Sequence, residues 1–299
     1  MNQIGNIITD SNFCKVQKLD DDLYVITEAG FVHFYLILGQ KKAVLIDAGC
    51  GFEDIRPIIR SITDLPVMLI LTHGDPDHSY GSEYFGDVWL YQPDYGQIMG
   101  GDTKYERQFI AGFGVKFLKE NNPEAIERFD TIAFAEKSLL RALTPHFVKD
   151  GELFDLGGKT LEVIFTPGHS YGHIMLLDRA KKRLFSGDMI CDFPIIFFFE
   201  SDRNGPLSMA LDSWKKIKRL EKDIKDIYSS HGQIPITMDY VDAYIECFSG
   251  EIQQTYLQDK PFSTPLGRGY QHIYKTVNIQ YSDKRLEEFL GHKVERIDL

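Results

Sequence analysis

Thr72-His73-Gly74-Asp75-Pro76-Asp77-His78 is the stretch on which the reading of this chain turns. Four potential metal ligands, His73, Asp75, Asp77 and His78, fall within six residues, directly after the apolar run Val67–Thr72. Imidazole nitrogen and carboxylate oxygen both bind zinc at about 2.0–2.2 Å, and both suit iron or manganese. Gly74 and Pro76 separate the donors, a pattern that fits a tight loop and not a helix. A short loop can aim alternate side chains in different directions, so one segment can serve two ions. The plain alternative is a solvated polar turn at a strand end, and a lone His-x-Asp would support no more than that.

Three further segments weigh against the polar turn. Thr166-Pro167-Gly168-His169-Ser170 follows the run Leu161–Thr166, Ser186-Gly187-Asp188 follows Arg183–Phe185, and Ser229-Ser230-His231-Gly232 follows Lys225–Ser229. Each sets one histidine or aspartate beside a glycine at the C-terminal end of an apolar strand. Ligands of α/β sheets are usually bound at that end.

Outward from these motifs, the chain reads as an α/β protein. Leu23–Thr27, Phe31–Leu38 and Ala43–Asp47 are predicted strands separated by turns at Gly30 and Gly39–Lys42. Phe52–Ile62 reads as a short helix, and Val67–Thr72 as a strand buried on both faces. Between about 93 and 145 the pattern turns helical, with Thr103–Lys119 and Pro123–Arg141 broken at Asn121-Asn122-Pro123. Strands return at Leu161–Thr166, His173–Asp178 and Arg183–Ser186, with a tight turn at Arg179–Lys182. Pro206–Lys222 is an amphipathic helix whose stripe is Leu207, Ala210, Leu211, Trp214, Ile217 and Leu220. After about 235 the pattern predicts a helix over Thr237–Leu257, a loop with proline and glycine, and a terminal strand and helix.

The order, composition and spacing of the ligand motifs resemble the metallo-β-lactamase superfamily, which includes glyoxalase II, lactonases and the flavodiiron proteins. His73, Asp75, Asp77 and His78 match its His-x-His-x-Asp-His signature, His169 its later histidine, Asp188 its bridging aspartate and His231 its final histidine. Leu45-Ile46-Asp47-Ala48-Gly49 also looks like the family's opening, and the resemblance runs over roughly residues 20–235. It implies a four-layer αββα sandwich, here as a single domain over 1–299. The 93–145 segment would be a helical insertion and 235–299 a C-terminal extension. It also implies two divalent metal ions, zinc first, with iron or manganese as alternatives. His73, Asp75 and His169 would hold one, Asp77, His78 and His231 the other, and Asp188 would bridge them. The departure is Asp75, which stands where most members have histidine and the flavodiiron branch has an acidic residue. A carboxylate is a harder ligand and moves the preference toward iron or manganese. Two divalent ions bring +4, and the three aspartates −3, so a bridging hydroxide would complete the balance.

The leading expectation is a metal-dependent hydrolase in which the two ions activate water against a small ester, thioester or lactone. Asp77 is the candidate catalytic residue, orienting the nucleophile or carrying its proton. A flavodiiron-like redox enzyme served by a separate electron donor is the second reading, and a non-catalytic metal-binding protein the third. The net charge of −11 argues against non-specific binding to nucleic acid or an anionic membrane. A small-molecule substrate is therefore expected, with a homodimer left open. Cys14, Cys50, Cys191 and Cys247 are scattered without a CxxC pair. With no basic-then-apolar start, they suggest reduced thiols in a cytoplasmic protein. Four phenylalanines in Asp192–Glu200 are either an apolar substrate mouth or core, with core favoured. Tyr171 and His173 flank His169, and a structural role for His173 is favoured. His33, His146, His272 and His292 have no motif around them and read as structural or surface histidines, with Tyr270 and His272 as weak candidates for substrate contact.

Overall fold

The branched and aromatic runs near the start of the chain become neighbouring strands of one sheet. A computed structural model describes residues 7–137, 143–199, 203–264 and 266–296, and the chain divides into two compact units, Met1–Leu161 and Glu162–Leu299. The first unit runs β1 (Ile7–Asp10), β2 (Cys14–Asp20), β3 (Leu23–Glu28), β4 (Val32–Leu38), β5 (Ala43–Ile46), α1 (Arg56–Ile62), β6 (Val67–Ile70), α2 (Pro76–Ser79), β7 (Asp87–Leu90), α3 (Gln92–Gly101), α4 (Lys104–Asn121), α5 (Thr131–Ala135), β8 (Thr144–Phe147) and β9 (Leu153–Asp155). Strands β1 to β8 lie side by side in chain order. Up to β5 they pair antiparallel across short turns. From β5 onward they are parallel, and each parallel step has helix between its strands, the length a crossover needs.

Several boundaries differ from the sequence reading, each for a local reason. Strands β1 and β2 fall outside the expected strands. Cys14–Asp20 carries Lys15, Gln17 and Lys18 among its apolar residues, and only Cys14 and Val16 are buried. The helix expected at Phe52 begins at Arg56, because the preceding turn is tied to Glu28: the backbone N–H of Cys50 and of Phe52 donate to its carboxylate at 2.5 and 2.9 Å. Strand β6 is buried only at Leu69 and Ile70. Pro123–Arg128 is a 3-10 turn, and α5 is capped by the Asp130 carboxylate, which accepts from Ile132 N and Ala133 N. Residues 138–142, the end of the expected Pro123–Arg141 helix, lie outside the described residues.

Glu28 is itself completely buried. Burial pushes its carboxyl up to about 8, against the pull of the two N–H donors. The folded state therefore holds a proton that the unfolded chain releases above about 4.5. The stability this contributes is complete below that pH and is lost as pH rises through about 8. Urea unfolding at several pH values is expected to show stability falling by a few kcal/mol across this window, and Glu28→Gln to flatten the slope. An unchanged slope in the variant would mean that another group carries it.

The second unit runs β10 (Thr160–Phe165), β11 (Ile174–Asp178), β12 (Arg183–Gly187), β13 (Ile195–Phe197), α6 (Leu207–Lys218), β14 (Asp226–Ser229), α7 (Met238–Glu246), α8 (Ile252–Thr255), β15 (Lys260–Thr264), β16 (Gly267–Tyr274), β17 (Val277–Tyr281) and α9 (Asp283–Leu290). Strands β10, β11 and β12 pair antiparallel, and β14 joins β12 in parallel after α6. Helix α6 buries Leu207, Ala210, Leu211, Trp214 and Ile217, the stripe read from the sequence, while Leu220 lies past its end. Trp214 stacks on Tyr244 with ring centroids 4.6 Å apart and donates from Nε1 to Met189 O at 2.6 Å.

The C-terminal segment is more ordered than its composition suggests. The proline- and glycine-containing stretch expected as a loop is a pair of strands, and a second small sheet forms in the order β13-β17-β16-β15. Gly269 belongs to the close pairing and not to a turn: a Cβ there would sit 2.1 Å from Tyr281 O. In the Asp192–Glu200 run, Ile195, Phe197 and Phe198 are core, whereas Phe193 is 36% exposed; Glu200 lies outside the described residues. Each unit thus packs helices on a mixed sheet around its own apolar core. This is the α/β sandwich class read from the sequence, with a helical insertion over α3 to α5 and a C-terminal extension from α7 onward.

Candidate functional site

Four of the seven expected ligands belong to the first unit. Residues 71 and 72 extend from β6, and the chain then turns through Gly74 into α2. Pro76 occupies the first turn of that helix and Asp75 its N-cap position. The motif expected as an open loop is therefore half helix: proline's fixed φ and missing N–H favour a helix start. Gly74 approaches α3 closely: a Cβ would lie 3.0 Å from Asp94 O, a tight contact, and Gly74 N donates to Asp94 Oδ2 at 2.9 Å.

Asp47, at the end of β5, organises this half. Its backbone is left-handed, with φ +63°, and its buried carboxylate accepts from Thr72 N at 2.7 Å, Thr72 Oγ1 at 2.8 Å and His78 Nδ1 at 2.9 Å. Thr72 spends its one hydroxyl proton on Asp47. The 3.0 Å contact between Thr72 Oγ1 and His73 Nδ1 must therefore be donated by the imidazole. Both histidines are thus assigned as Nδ1–H tautomers with the lone pair on Nε2, the arrangement of metal-binding imidazoles oriented by a neighbouring acceptor. Their ring centroids are 4.0 Å apart. His73 Nε2 lies 3.8 Å from Asp75 Oδ2, and His78 Nε2 lies 3.7 Å from Asp77 Oδ2. Tetrahedral zinc sets its nitrogen and oxygen ligands about 3.3 Å apart, so each pair is within reach of one cation. Asp75 is oriented by Gln97 Nε2, which donates to Oδ1 at 2.7 Å.

The other three expected ligands belong to the second unit and repeat the logic. His169 is buried, and its Nδ1 lies 3.0 Å from Ile196 O. A carbonyl only accepts, so the proton is on Nδ1 and the lone pair on Nε2. Asn204 Nδ2 donates to His169 O at 2.5 Å, and Asn204 Oδ1 accepts from Phe199 N at 2.9 Å, fixing the loop. Gly168 is needed because its φ is +154° and a Cβ would meet Ala210 of α6 at 2.8 Å. Asp188 presents one oxygen to each histidine: Oδ2 is 3.7 Å from His169 Nε2, and Oδ1 is 3.4 Å from His231 Nε2. That is the donor pattern of a carboxylate that bridges two ions. His231 is buried, with the Phe193 ring 5.2 Å away.

The sequence reading named the candidate ligands and missed most of what orients them. Asp47 entered the sequence reading only within Leu45-Ile46-Asp47-Ala48-Gly49, the stretch that looks like the family's opening. Gln97 and Asn204 carried no signal, because they approach from distant parts of the chain. His173 is buried, with Nδ1 3.0 Å from Thr166 Oγ1, which is a structural role. His33 pairs with Thr27, and His146 pairs with Asp87 while stacking on Trp89. His272, expected as a surface or structural histidine, sits buried between two carboxylates.

The family model of the metallo-beta-lactamase superfamily matches residues 27–231, and the chain belongs to that superfamily. Among its relatives, the acyl-coenzyme A thioesterase MBLAC2 of Gallus gallus is 27% identical over 173 residues, covering 55% of this chain and 59% of the relative. The hydroxyacylglutathione hydrolase GloC of Haemophilus influenzae is 29% identical over 153 residues, covering 50% and 62%. The chain therefore spans about three-fifths of the length of these relatives. A metallo-beta-lactamase family protein from Thermus thermophilus shares the fold, with a TM-score of 0.56, 20% identity, and 82% of this chain and 86% of that one covered.

Proposed function

We propose that the seven residues hold two divalent cations and that the protein hydrolyses thioesters, within the wider class of small esters and lactones. The observation that carries this is the donor set. Hydrogen bonds at Nδ1 leave Nε2 as the ligating atom of buried His73, His78 and His169, and Nε2 of these three and of His231 stands within 3.4–3.8 Å of an aspartate oxygen. All seven lie inside the stretch that the family model matches. The thioester preference is supported by the relatives' names, both of which describe release of an acyl group.

His73, Asp75 and His169 would hold one ion, Asp77, His78 and His231 the other, and Asp188 both. When bound, such ions lower the pKa of water from 15.7 to about 7 and polarise a carbonyl oxygen. The chain's own residues do the rest. Asp47, Thr72 and the Ile196 carbonyl keep the imidazoles in their ligating tautomers. Asp77, at 21% side-chain exposure the most open of the four first-unit donors, orients the attacking water and receives its proton at a carboxylate oxygen. Phe193, beside His231, offers an apolar surface to the acyl group. Zinc is the first expectation for the metal, with iron or manganese favoured by the carboxylate at Asp75.

Metal analysis of the purified protein, coupled to acyl-coenzyme A, hydroxyacylglutathione, lactone and phosphodiester substrates, tests the proposal. Thioester turnover that a chelator abolishes and added metal restores is the expected result. Turnover of phosphodiesters alone, or none with two ions bound, would overturn it. Asp47→Ala is expected to weaken metal affinity about 10–100-fold, as loss of a partner that orients a ligand does. Competition against a chromophoric chelator measures this, and an unchanged affinity would remove Asp47 from the role.

A further inference from the structure

The C-terminal extension carries a second cluster of metal-type donors, apart from the seven residues above. Helix α7 does not end at Glu246 but continues through a π-helical turn, Cys247–Glu251. Such turns are rare and occur frequently at functional sites. The turn brings Cys247 Sγ to 3.7 Å from Glu251 Oε2. From β16, His272 Nε2 reaches the same oxygen at 2.8 Å. The three ligand atoms of Cys247, Glu251 and His272 all lie within 4.8 Å of one another.

The surroundings are those of a built site. Asp259 Oδ1 holds His272 Nδ1 at 2.8 Å, and the Tyr281 hydroxyl donates to the other Asp259 oxygen. Thr255 Oγ1 holds Glu251 Oε1 at 2.7 Å, which leaves Oε2 facing the thiol and the imidazole. This is the carboxylate–histidine–metal arrangement in which an outer acid fixes the imidazole for its ligand role. Cys247 and His272 are buried, whereas the Glu251 side chain is 23% exposed and gives the cluster an opening to solvent.

We propose that Cys247, Glu251 and His272 bind a zinc-type divalent cation, with Asp259 orienting the imidazole and water as the fourth ligand. A tetrahedral zinc places sulfur and oxygen ligands about 3.5 Å apart and nitrogen and oxygen ligands about 3.3 Å apart. The 3.7 and 2.8 Å separations bracket these edges, so sub-ångström side-chain movement makes room. Burial and the nearby Glu251 push the Cys247 thiol up, and a cation bound here would displace its proton, which offsets part of the charge brought into a buried place.

Cobalt(II) titrated into the chelator-stripped full-length protein is the test, because the seven-residue donor set contains no thiolate. A thiolate-to-cobalt charge-transfer band is expected in the near ultraviolet, with the amplitude at saturation of one thiolate-bound ion per chain. It should vanish in Cys247→Ala, and Asp259→Asn should weaken the cobalt affinity of the band about 10–100-fold. Circular dichroism and a thermal melt establish that both variants are folded. No thiolate band in the wild type at saturating cobalt, or a band that persists in Cys247→Ala, would overturn the proposal.

Discussion

Asp77→Ala is expected to lose at least one bound cation and to lower kcat/KM by about a thousandfold or more. Two contributions fall together. The variant removes an oxygen 3.7 Å from His78 Nε2, so one ion loses a charged ligand. On the proposed mechanism it also removes the base for the attacking water, a role that contributes about 10²–10⁴ by itself. Asp77→Asn separates them, since it keeps a ligating oxygen and loses the base. Metal stoichiometry and steady-state kinetics on the same preparation decide the matter. A fully loaded and fully active Asp77→Ala would remove this residue from the mechanism.

Trp214→Ala is expected to lower the unfolding free energy by about 3–5 kcal/mol, the range for deleting a large buried aromatic. The indole is completely buried. It stacks on Tyr244, meets Phe248 at 5.0 Å and Phe197 edge-on at 6.3 Å, and thereby joins α6, α7 and β13 in one core. Its N–H also holds Met189 O, the residue after Asp188. The loss therefore combines a cavity with an unsatisfied carbonyl beside a ligand. Urea denaturation monitored by circular dichroism gives the value. A change below about 1 kcal/mol would mean that the core closes over the gap, as sites that relax well can do.

Much of the fold was legible because its strands are short apolar runs that stop at glycine. Helix α6 was legible because its apolar residues recur at helical spacing. The errors cluster where a distant contact overrides a local signal. Phe52 starts no helix because Glu28, some two dozen residues earlier in the chain, captures the backbone N–H groups of the turn. Gly269 looked like loop and is strand, because only a glycine lets Tyr281 O pass so closely. Asp75-Pro76 looked like a break and instead opens a helical turn.

The seven candidate ligands were readable from the chain alone, because a strand carries its last side chains to a predictable end and a glycine marks the turn that follows. Identity and order of donors are local properties. Which nitrogen of His73, His78 and His169 keeps its lone pair is not local. Asp47, Thr72 and the Ile196 carbonyl set it through hydrogen bonds, and all but the Thr72–His73 contact span more than two dozen residues of chain. The cluster of Cys247, Glu251 and His272 likewise exists only because a π-helical turn meets a strand some twenty residues later. Proton positions and such meetings depend on distances in space, and only the folded chain decides those.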